Sequence, residues 1–412
     1  MFISSRVRRL LPGTAVLAGV GIVLAPGLGG VGRADPVPPR PAALPAASLL
    51  HSPGTHVRSG KGAPELPDHI SALSWLVADA GTGEVLAAHD AHRSLPPAST
   101  LKTLFALTAL PRLQGAGVHT VTEAELENVG EGSSTVGLDP GRTYRVADLW
   151  RGVFLSSGND AVHVLAAMNG GWEETAAQMR AKARAVGALD TRVVSPDGYD
   201  AEGQVSSAFD LALFGRAGLK DPAFSRYAAQ ADAPFPGDTD SAGKPVWTYG
   251  IENTNRLLTG EDGVGRYPGI LGIKNGYTSN AGYTLVSAAR RDGRTLLVTV
   301  MNPQEGGGSA VYEEARALLD WGFAAAGHVD PVGSLQPSPP PAPAYAAPVV
   351  LATAGTDSAD GAGYGWPVAL VFAALAALGG AGGVVYRLRH RARTVALGPS
   401  PTEPHGQQAD EV

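Results

Sequence analysis

The stretch that decides the fold runs from residue 96 to residue 102 and reads PPASTLK. Its serine, Ser99, stands three residues before Lys102, and the apolar run Leu101 to Leu110 predicts a helix. Residues three apart share a helix face, so the Lys102 amine can reach the Ser99 hydroxyl. A serine becomes a nucleophile when a base takes its proton, and a lysine serves when burial keeps its amine neutral. The pattern predicts a catalytic Ser–Lys pair.

A Ser-x-x-Lys spacing is weak evidence by itself. The stretch from Ser241 to Lys244 has the same spacing, but Gly243 and the following Pro245 predict a turn. A serine placed like Ser99 also serves simply as a helix cap. The catalytic interpretation therefore depends on further motifs.

A second motif, SSGND, occupies residues 156–160. It precedes a predicted helix, Asn159 to Met168, so its side chains are expected to project from a loop into a cleft. Ser157 could relay a proton between lysines and a leaving amine, and Asn159 could hold a substrate amide. The alternative is a polar loop that caps the helix.

A third motif, GIKNGYT, occupies residues 272–278 and predicts an edge strand. It brings a second lysine, Lys274, and a glycine, Gly276, past which a substrate can approach the backbone. The alternative is an edge strand whose lysine discourages aggregation. Because the chain has only six lysines, the placement of two of them in these motifs favours the functional interpretation.

Taken in order, the three motifs match the Ser-x-x-Lys, Ser-x-Asn and Lys-Thr-Gly set of penicillin-binding proteins and β-lactamases. The chain most resembles the low-molecular-weight serine D-Ala-D-Ala carboxypeptidases, peptidase family S11, over most of residues 69–326. The resemblance implies an α+β, β-lactamase/transpeptidase-like fold, in which helices and a mostly helical subdomain flank an antiparallel sheet. Predicted strands at both ends of the domain, with helices between them, agree with that class. Further family-like stretches are Trp75–Leu86, Val194–Tyr199, Ser206–Ala212, Asn253–Leu258 and Gly282–Thr284.

The resemblance also implies a mechanism. Ser99 would attack the carbonyl that joins two terminal D-alanines while Lys102 takes its proton, and the backbone N–H groups of Ser99 and Tyr277 would hold the oxyanion. Ser157 and Lys274 would pass a proton to the departing D-alanine. No metal or cofactor is required.

The resemblance further implies that Lys274, Asn275 and Thr278 hold the substrate carboxylate, and that Gly276 lets the substrate approach the backbone. One residue departs from the pattern, because the family usually has threonine where this chain has Asn275. An asparagine amide also donates hydrogen bonds, so activity is expected to persist with altered carboxylate affinity or penicillin sensitivity.

Two rival functions remain open at this point. A class A-like β-lactamase would add a Glu-x-x-Leu-Asn loop, and no such string occurs in the chain. A catalytically silent penicillin-binding protein, used for wall sensing or scaffolding, is favoured only by Asn275. The expected partners are the peptidoglycan stem peptide and β-lactam inhibitors, while a net charge of -6 gives no reason to expect nucleic acid.

The two ends of the chain predict export and a membrane anchor. Basic residues precede an apolar run from Leu10 to Leu28, and small residues follow it up to a cleavage site after Ala34, as in a signal peptide over 1–34. The alternative is an uncleaved anchor helix. Trp366–Tyr386 has no charged residue and predicts one transmembrane helix, with a buried soluble helix as its alternative. The arginines that follow predict a cytoplasmic tail over 387–412 and an extracytoplasmic catalytic domain at the cell membrane.

Between these ends, composition predicts two linkers around one domain. Residues 35–68 and 331–365 are rich in proline and alanine and are expected to act as spacers. Residues 69–330 form the predicted catalytic domain. The chain contains no cysteine, which excludes disulfides and thiolate chemistry.

Overall fold

The computed structural model describes residues 48–113 and 117–336. Its strands are β1 (Thr55–Ser59), β2 (Ala72–Asp79), β3 (Glu84–His89), β4 (Val118–Thr120), β5 (Thr143–Arg145), β6 (Asp232–Thr239), β7 (Pro245–Glu252), β8 (Ile270–Thr278), β9 (Gly282–Arg291), β10 (Arg294–Pro303), β11 (Val329–Asp330) and β12 (Gly333–Ser334). Its helices are α1 (Lys102–Leu113), α2 (Glu123–Leu126), α3 (Val146–Phe154), α4 (Asn159–Met168), α5 (Trp172–Ala185), α6 (Ala208–Gly218), α7 (Pro222–Ala228), α8 (Arg256–Thr259) and α9 (Ala310–Ala325).

An antiparallel sheet in the order β11-β1-β3-β2-β10-β9-β8 forms the centre of the domain, and β12 pairs with β3. The strands predicted at the two ends of the domain form the hairpins β2–β3 and β9–β10. Asp292 and Gly293 turn the second hairpin with positive φ angles of 50° and 80°, as a tight hairpin turn requires. Because β10 pairs with β2, strands from both ends of the domain share one sheet, as predicted.

Helices cover both faces of this sheet. Trp75 and Val77 of β2 pack on the face that α9 covers, where Trp321 is buried beside them. Helix α6 covers the opposite face closely, since a methyl group at Gly215 would lie 2.8 Å from the side chains of Leu297 and Val286. Helices α1 to α5, together with α7, form the mostly helical part beside the sheet. The predicted α+β architecture is therefore confirmed.

The structure corrects the predicted linker boundaries. Residues 35–68 were assigned to a linker, but β1 lies within this range and pairs with β3 and β11. Residues 331–365 were also assigned to a linker, yet β12 extends the sheet there. Proline-rich composition obscured these strands because each is short and only partly buried.

The predicted leader at 1–34, the span at 366–386 and the tail at 387–412 lie outside the described residues. Within 48–113 and 117–336, no helix combines the length and the apolar character needed to cross a bilayer.

A half-buried acid, Asp190, and a buried one, Asp210, contact the segment that leads to Ser99. Asp190 lies 2.7 Å from the His92 ring and accepts a 2.7 Å hydrogen bond from Ser207. Its own backbone N–H donates to Asp210, which also accepts from the Thr191 hydroxyl. Burial, together with the Asp190 charge, raises the pKa of Asp210 to about 6.

This pKa makes stability depend on pH. Folded Asp210 keeps its proton up to about pH 6, whereas an unfolded aspartate ionises near pH ~4. The unfolded state then binds fewer protons, so this group lowers the free energy of unfolding as pH rises from about 4 to about 6. Asp210→Asn removes this titration, so the variant does not share the parent's loss of stability. The free energy of unfolding of the variant minus that of the parent should therefore increase by about 2 kcal/mol from pH ~4.5 to pH ~7.5. Urea denaturation at both pH values measures this, with Glu202→Gln as an exposed control; a difference independent of pH contradicts it.

Candidate active site

The amine of Lys102 joins three segments that are far apart in the chain. Its Nζ lies 2.8 Å from Ser99 Oγ, 2.6 Å from Asn159 Oδ1 and 2.7 Å from the Asp197 carbonyl oxygen. Lys102 begins α1, one turn after Ser99, and Asn159 begins α4. The first two predicted motifs therefore meet at one nitrogen.

Burial tunes this amine toward general-base chemistry. Lys102 is only 1 % exposed, and desolvation lowers its pKa to about 8, while the charges of Asp197 and Asp160 oppose the decrease. When the amine is neutral, two of its hydrogens can donate to Asn159 and Asp197. Its lone pair then faces the Ser99 hydroxyl and can accept that proton.

The backbone around Ser99 is packed without room for side chains. A methyl group at Gly276 would lie 2.6 Å from the Ser99 nitrogen, and one at Gly198 would lie 2.1 Å from the Ala98 carbonyl oxygen. Ala98 itself has a positive φ of 49°, an uncommon conformation for a residue with a side chain. Strand β8 is thus held directly beside the nucleophile, where Tyr277 and Ser99 can contribute neighbouring N–H groups.

Ser157 is held in a strained and buried position. Its φ is 57°, and its hydroxyl is buried without a hydrogen-bond partner among the described residues. An unpartnered buried hydroxyl is costly in a resting protein and is available to a ligand or a transferred proton. The relay role of Ser157 stays a prediction.

The third motif occupies β8 at the edge of the sheet, as predicted. Lys274 is 2 % exposed, and burial together with the charge of Lys102 lowers its pKa well below the ordinary value. Its Nζ donates to the Asn275 carbonyl oxygen at 2.9 Å. Asn275 Oδ1 accepts from the Thr254 hydroxyl at 2.9 Å, so any donation to a ligand falls to its NH₂ group, which has two hydrogens and also interacts with the Tyr312 hydroxyl.

Thr278 and Tyr277 lie nearer the end of the strand. The Thr278 hydroxyl accepts the Ala281 N–H at 3.1 Å, so this last residue of β8 is bound to the β8–β9 turn. The Tyr277 side chain is 58 % exposed and packs on Tyr283 in a tilted arrangement, with ring centroids 4.6 Å apart. The predicted oxyanion role concerns the Tyr277 backbone N–H and not this side chain, and it stays a prediction.

The sequence analysis assigned no role to two buried acids in this site. Asp160 is 4 % exposed and accepts hydrogen bonds from the backbone N–H groups of Val136, Gly137 and Leu138 at 2.8–3.1 Å. It thereby fixes a loop over the second motif. Asp197 supplies the carbonyl that Lys102 contacts. Asp160 stands directly beside Asn159 in the sequence, and that adjacency was the available signal.

With this geometry established, comparison with known proteins identifies the family. A family model described as D-alanyl-D-alanine carboxypeptidase, peptidase S11, matches residues 61–305. The chain belongs to this family. It is a serine-type D-alanyl-D-alanine carboxypeptidase by descent and therefore a hydrolase, which confirms the resemblance drawn from the three motifs.

Individual relatives agree with the S11 assignment. The D-alanyl-D-alanine carboxypeptidase DacB2 of Mycobacterium tuberculosis is 39 % identical over 266 residues, which cover 64 % of this chain and 86 % of that protein. The crystal structure of a D-alanyl-D-alanine carboxypeptidase from M. tuberculosis H37Rv is 38 % identical, with a TM-score of 0.59, and covers 67 % of this chain and 99 % of that one. A mutant of the Streptomyces K15 DD-transpeptidase is 25 % identical, with a TM-score of 0.57, and covers 63 % of this chain and all (100 %) of that one.

The Lys102 pKa predicts how the S11 active site responds to pH. Only the neutral amine can accept the Ser99 proton, so acylation by a labelled β-lactam should rise about tenfold per pH unit below about 8 and level off above it. Lys102→Arg keeps the charge but not the base, and should reduce the acylation rate by about 10²–10⁴-fold. Stopped-time gel fluorescence measures both. Exposed Lys220→Arg is the matched control, and a flat profile between pH ~6 and ~9 would exclude Lys102 as the base.

Proposed function

We propose that this protein removes the terminal D-alanine from peptidoglycan stem peptides through an acyl-enzyme on Ser99, and that penicillins acylate the same oxygen. The observation that supports this most directly is the 2.8 Å contact between Ser99 Oγ and a buried Lys102 amine whose pKa is about 8. The family and its D-alanyl-D-alanine carboxypeptidase members support the substrate class.

In the acylation step, Ser99 Oγ bonds to the carbonyl carbon between the two D-alanines and its proton moves to Lys102 Nζ. The backbone N–H groups of Ser99 and Tyr277 receive the oxyanion, and each such donor is worth about 3 kcal/mol of barrier. The C–N bond then breaks as the departing amine receives a proton through Ser157 and Lys274. Water later cleaves the ester and restores Ser99.

The carboxylate of the departing D-alanine is assigned to the Lys274–Asn275 end of β8. Lys274 is buried there, and the amide nitrogen of Asn275 offers N–H donors because its oxygen already accepts from Thr254. Thr278 ends β8 and its hydroxyl accepts from Ala281 of the turn, so its predicted share in carboxylate binding has the least support from these contacts.

The direct test is D-alanine release from a pentapeptide ending in D-Ala-D-Ala. The parent protein should release D-alanine steadily, and Ser99→Ala should release it at the uncatalysed rate, a loss of about 10⁴-fold or more. Mass spectrometry after incubation with penicillin should show one adduct on the parent and none on Ser99→Ala. Lys220→Arg serves as the control variant.

The outcomes separate the rivals. A long-lived penicillin adduct with D-alanine release supports the carboxypeptidase. Rapid penicillin turnover without D-alanine release supports a β-lactamase, and an adduct without either reaction supports a silent scaffold. Transfer of the acyl group to a second amine instead of water would make the protein a transpeptidase.

We also propose that the catalytic domain lies outside the cell, tethered to the cell membrane by one helix over 366–386. The apolar stretch Trp366–Tyr386, the arginines after it and the leader-like 1–34 support this topology. The full chain should remain in the membrane fraction after an alkaline wash, whereas a chain ending at residue 365 should be released. Equal membrane retention of both chains would contradict the tether. If labelled penicillin added to intact cells did not label the protein, that result would contradict the external position of the domain.

A further inference from the structure

The orientation of the Asn275 side-chain amide decides which charge it attracts. Its oxygen accepts from the Thr254 hydroxyl at 2.9 Å. A primary amide keeps nearly the same shape after a half-turn that exchanges its oxygen and its nitrogen, so its hydrogen-bond partners select the orientation. One orientation presents an N–H group to a substrate carboxylate, and the other presents an oxygen. The proposed function therefore requires a partner that holds the amide in the first orientation.

The Thr254 hydroxyl does not make this selection alone. A hydroxyl group rotates, so it donates to an amide oxygen or accepts from an amide nitrogen at the same position. Thr254 is also exposed, so water competes for its hydroxyl. A hydrogen bond to Thr254 is thus compatible with both orientations of Asn275.

Tyr312 has the fixed polarity that Thr254 lacks. It lies in the first turn of α9 and is only 3 % exposed, and its hydroxyl donates to the Thr254 carbonyl oxygen at 3.0 Å. Burial raises the pKa of Tyr312 to about 12, so the hydroxyl keeps its proton at the pH where Lys102 acts as a base. Because its one proton goes to a carbonyl, the Tyr312 oxygen acts as an acceptor toward any further neighbour.

That further neighbour is the NH₂ group of Asn275. The reversed amide would place its oxygen against the Tyr312 oxygen, or would take the Tyr312 proton away from the Thr254 carbonyl. Either arrangement loses a hydrogen bond, which disfavours the reversed orientation by about tenfold in population. The NH₂ group has two hydrogens, so one remains to donate to a ligand after Tyr312 has accepted the other.

The Tyr312 ring is itself held by rigid parts of the fold. It belongs to the apolar cluster between α9 and the sheet. The Arg256 guanidinium lies 5.6 Å from the ring centroid and pairs with Asp262 at 2.8 Å. The position of the Tyr312 hydroxyl is therefore set by a helix packed on a sheet, which orients a neighbouring side chain more precisely than a loop does.

We infer that Tyr312 is a positioning residue that holds the Asn275 amide with an N–H group toward the carboxylate of the departing D-alanine. This inference rests on the proposed function. Two contacts carry it, namely the bond from the buried Tyr312 hydroxyl to the Thr254 carbonyl and the bond from the Thr254 hydroxyl to the Asn275 oxygen. It adds a residue of α9 to a site that the three motifs do not reach.

The test compares a peptide ending in D-Ala-D-Ala with its C-terminal carboxamide, which lacks the terminal charge. The parent should prefer the free acid in kcat/KM by about tenfold or more, the scale of a hydrogen bond to a charged group. Tyr312→Phe should reduce this preference about fivefold, by raising KM for the free acid while kcat stays within about twofold. Release of the terminal residue, followed by mass spectrometry, measures both peptides.

Two further variants separate positioning from structural support. Tyr267→Phe is the matched control, because Tyr267 is also 3 % exposed and its hydroxyl donates to Asp320 of α9 at 2.7 Å. This variant should keep the parent preference. In a chain that carries Asn275→Thr, the introduced hydroxyl rotates to donate without help, so adding Tyr312→Phe should change the preference by less than about twofold.

Penicillin acylation of Ser99, measured on every variant, shows that the site is folded and separates this inference from the proposed function. An unchanged preference in Tyr312→Phe, with D-alanine release intact, overturns the role of Tyr312 alone. An equal loss on both peptides also overturns it, because Tyr312 would then only support the fold. The same reduction in the Asn275→Thr chain overturns the action through Asn275. Absence of D-alanine release by the parent overturns the proposed function and this inference with it.

Discussion

The rest of the site depends on the burial of one amine. Lys102 Nζ contacts Ser99 Oγ, Asn159 Oδ1 and the Asp197 carbonyl, three acceptors from three separate segments. An isolated buried ammonium is strongly unfavourable, so the fold must supply these acceptors or the amine must lose its proton. Both conditions operate here, because the acceptors are present and the pKa is lowered to about 8. The acceptors stabilise the group when it is charged, and burial lowers its pKa enough to make it a base at neutral to mildly alkaline pH.

A second constraint is the close approach of backbones around the nucleophile. Gly276 brings β8 against Ser99, and Gly198 brings the Asp197 segment against Ala98. Any side chain at either glycine would separate elements whose N–H and carbonyl groups act in the site. The strained φ values of Ala98 and Ser157 occur at the same place, where surrounding structure overdetermines the backbone. The catalytic geometry is thus set largely by main-chain packing, and the motif side chains occupy positions that this packing defines.

The fold was predictable where the pattern was local and long enough. The strands at both ends of the domain and the helices α1 and α4 followed from alternation or from helical periodicity. The strand β1 did not, because five half-exposed residues in a proline-rich context carry no alternating signal. In the site, motif order predicted that Ser99, Lys102 and Asn159 would meet. The contact with Asp197 was not predictable, because every residue has a main-chain carbonyl and the residue type does not indicate which one accepts a hydrogen bond.

The asparagine at position 275 shows how a departure from the family pattern keeps the chemistry. A threonine hydroxyl is donor and acceptor at one atom, whereas an asparagine amide separates the two functions between oxygen and nitrogen. The Thr254 hydroxyl donates to the Asn275 oxygen, and Tyr312, whose pKa burial raises to about 12, donates to the Thr254 carbonyl oxygen. These contacts fix the acceptor end of the amide. The nitrogen remains the donor that a substrate carboxylate requires, so the departure changes the shape of the subsite more than its polarity.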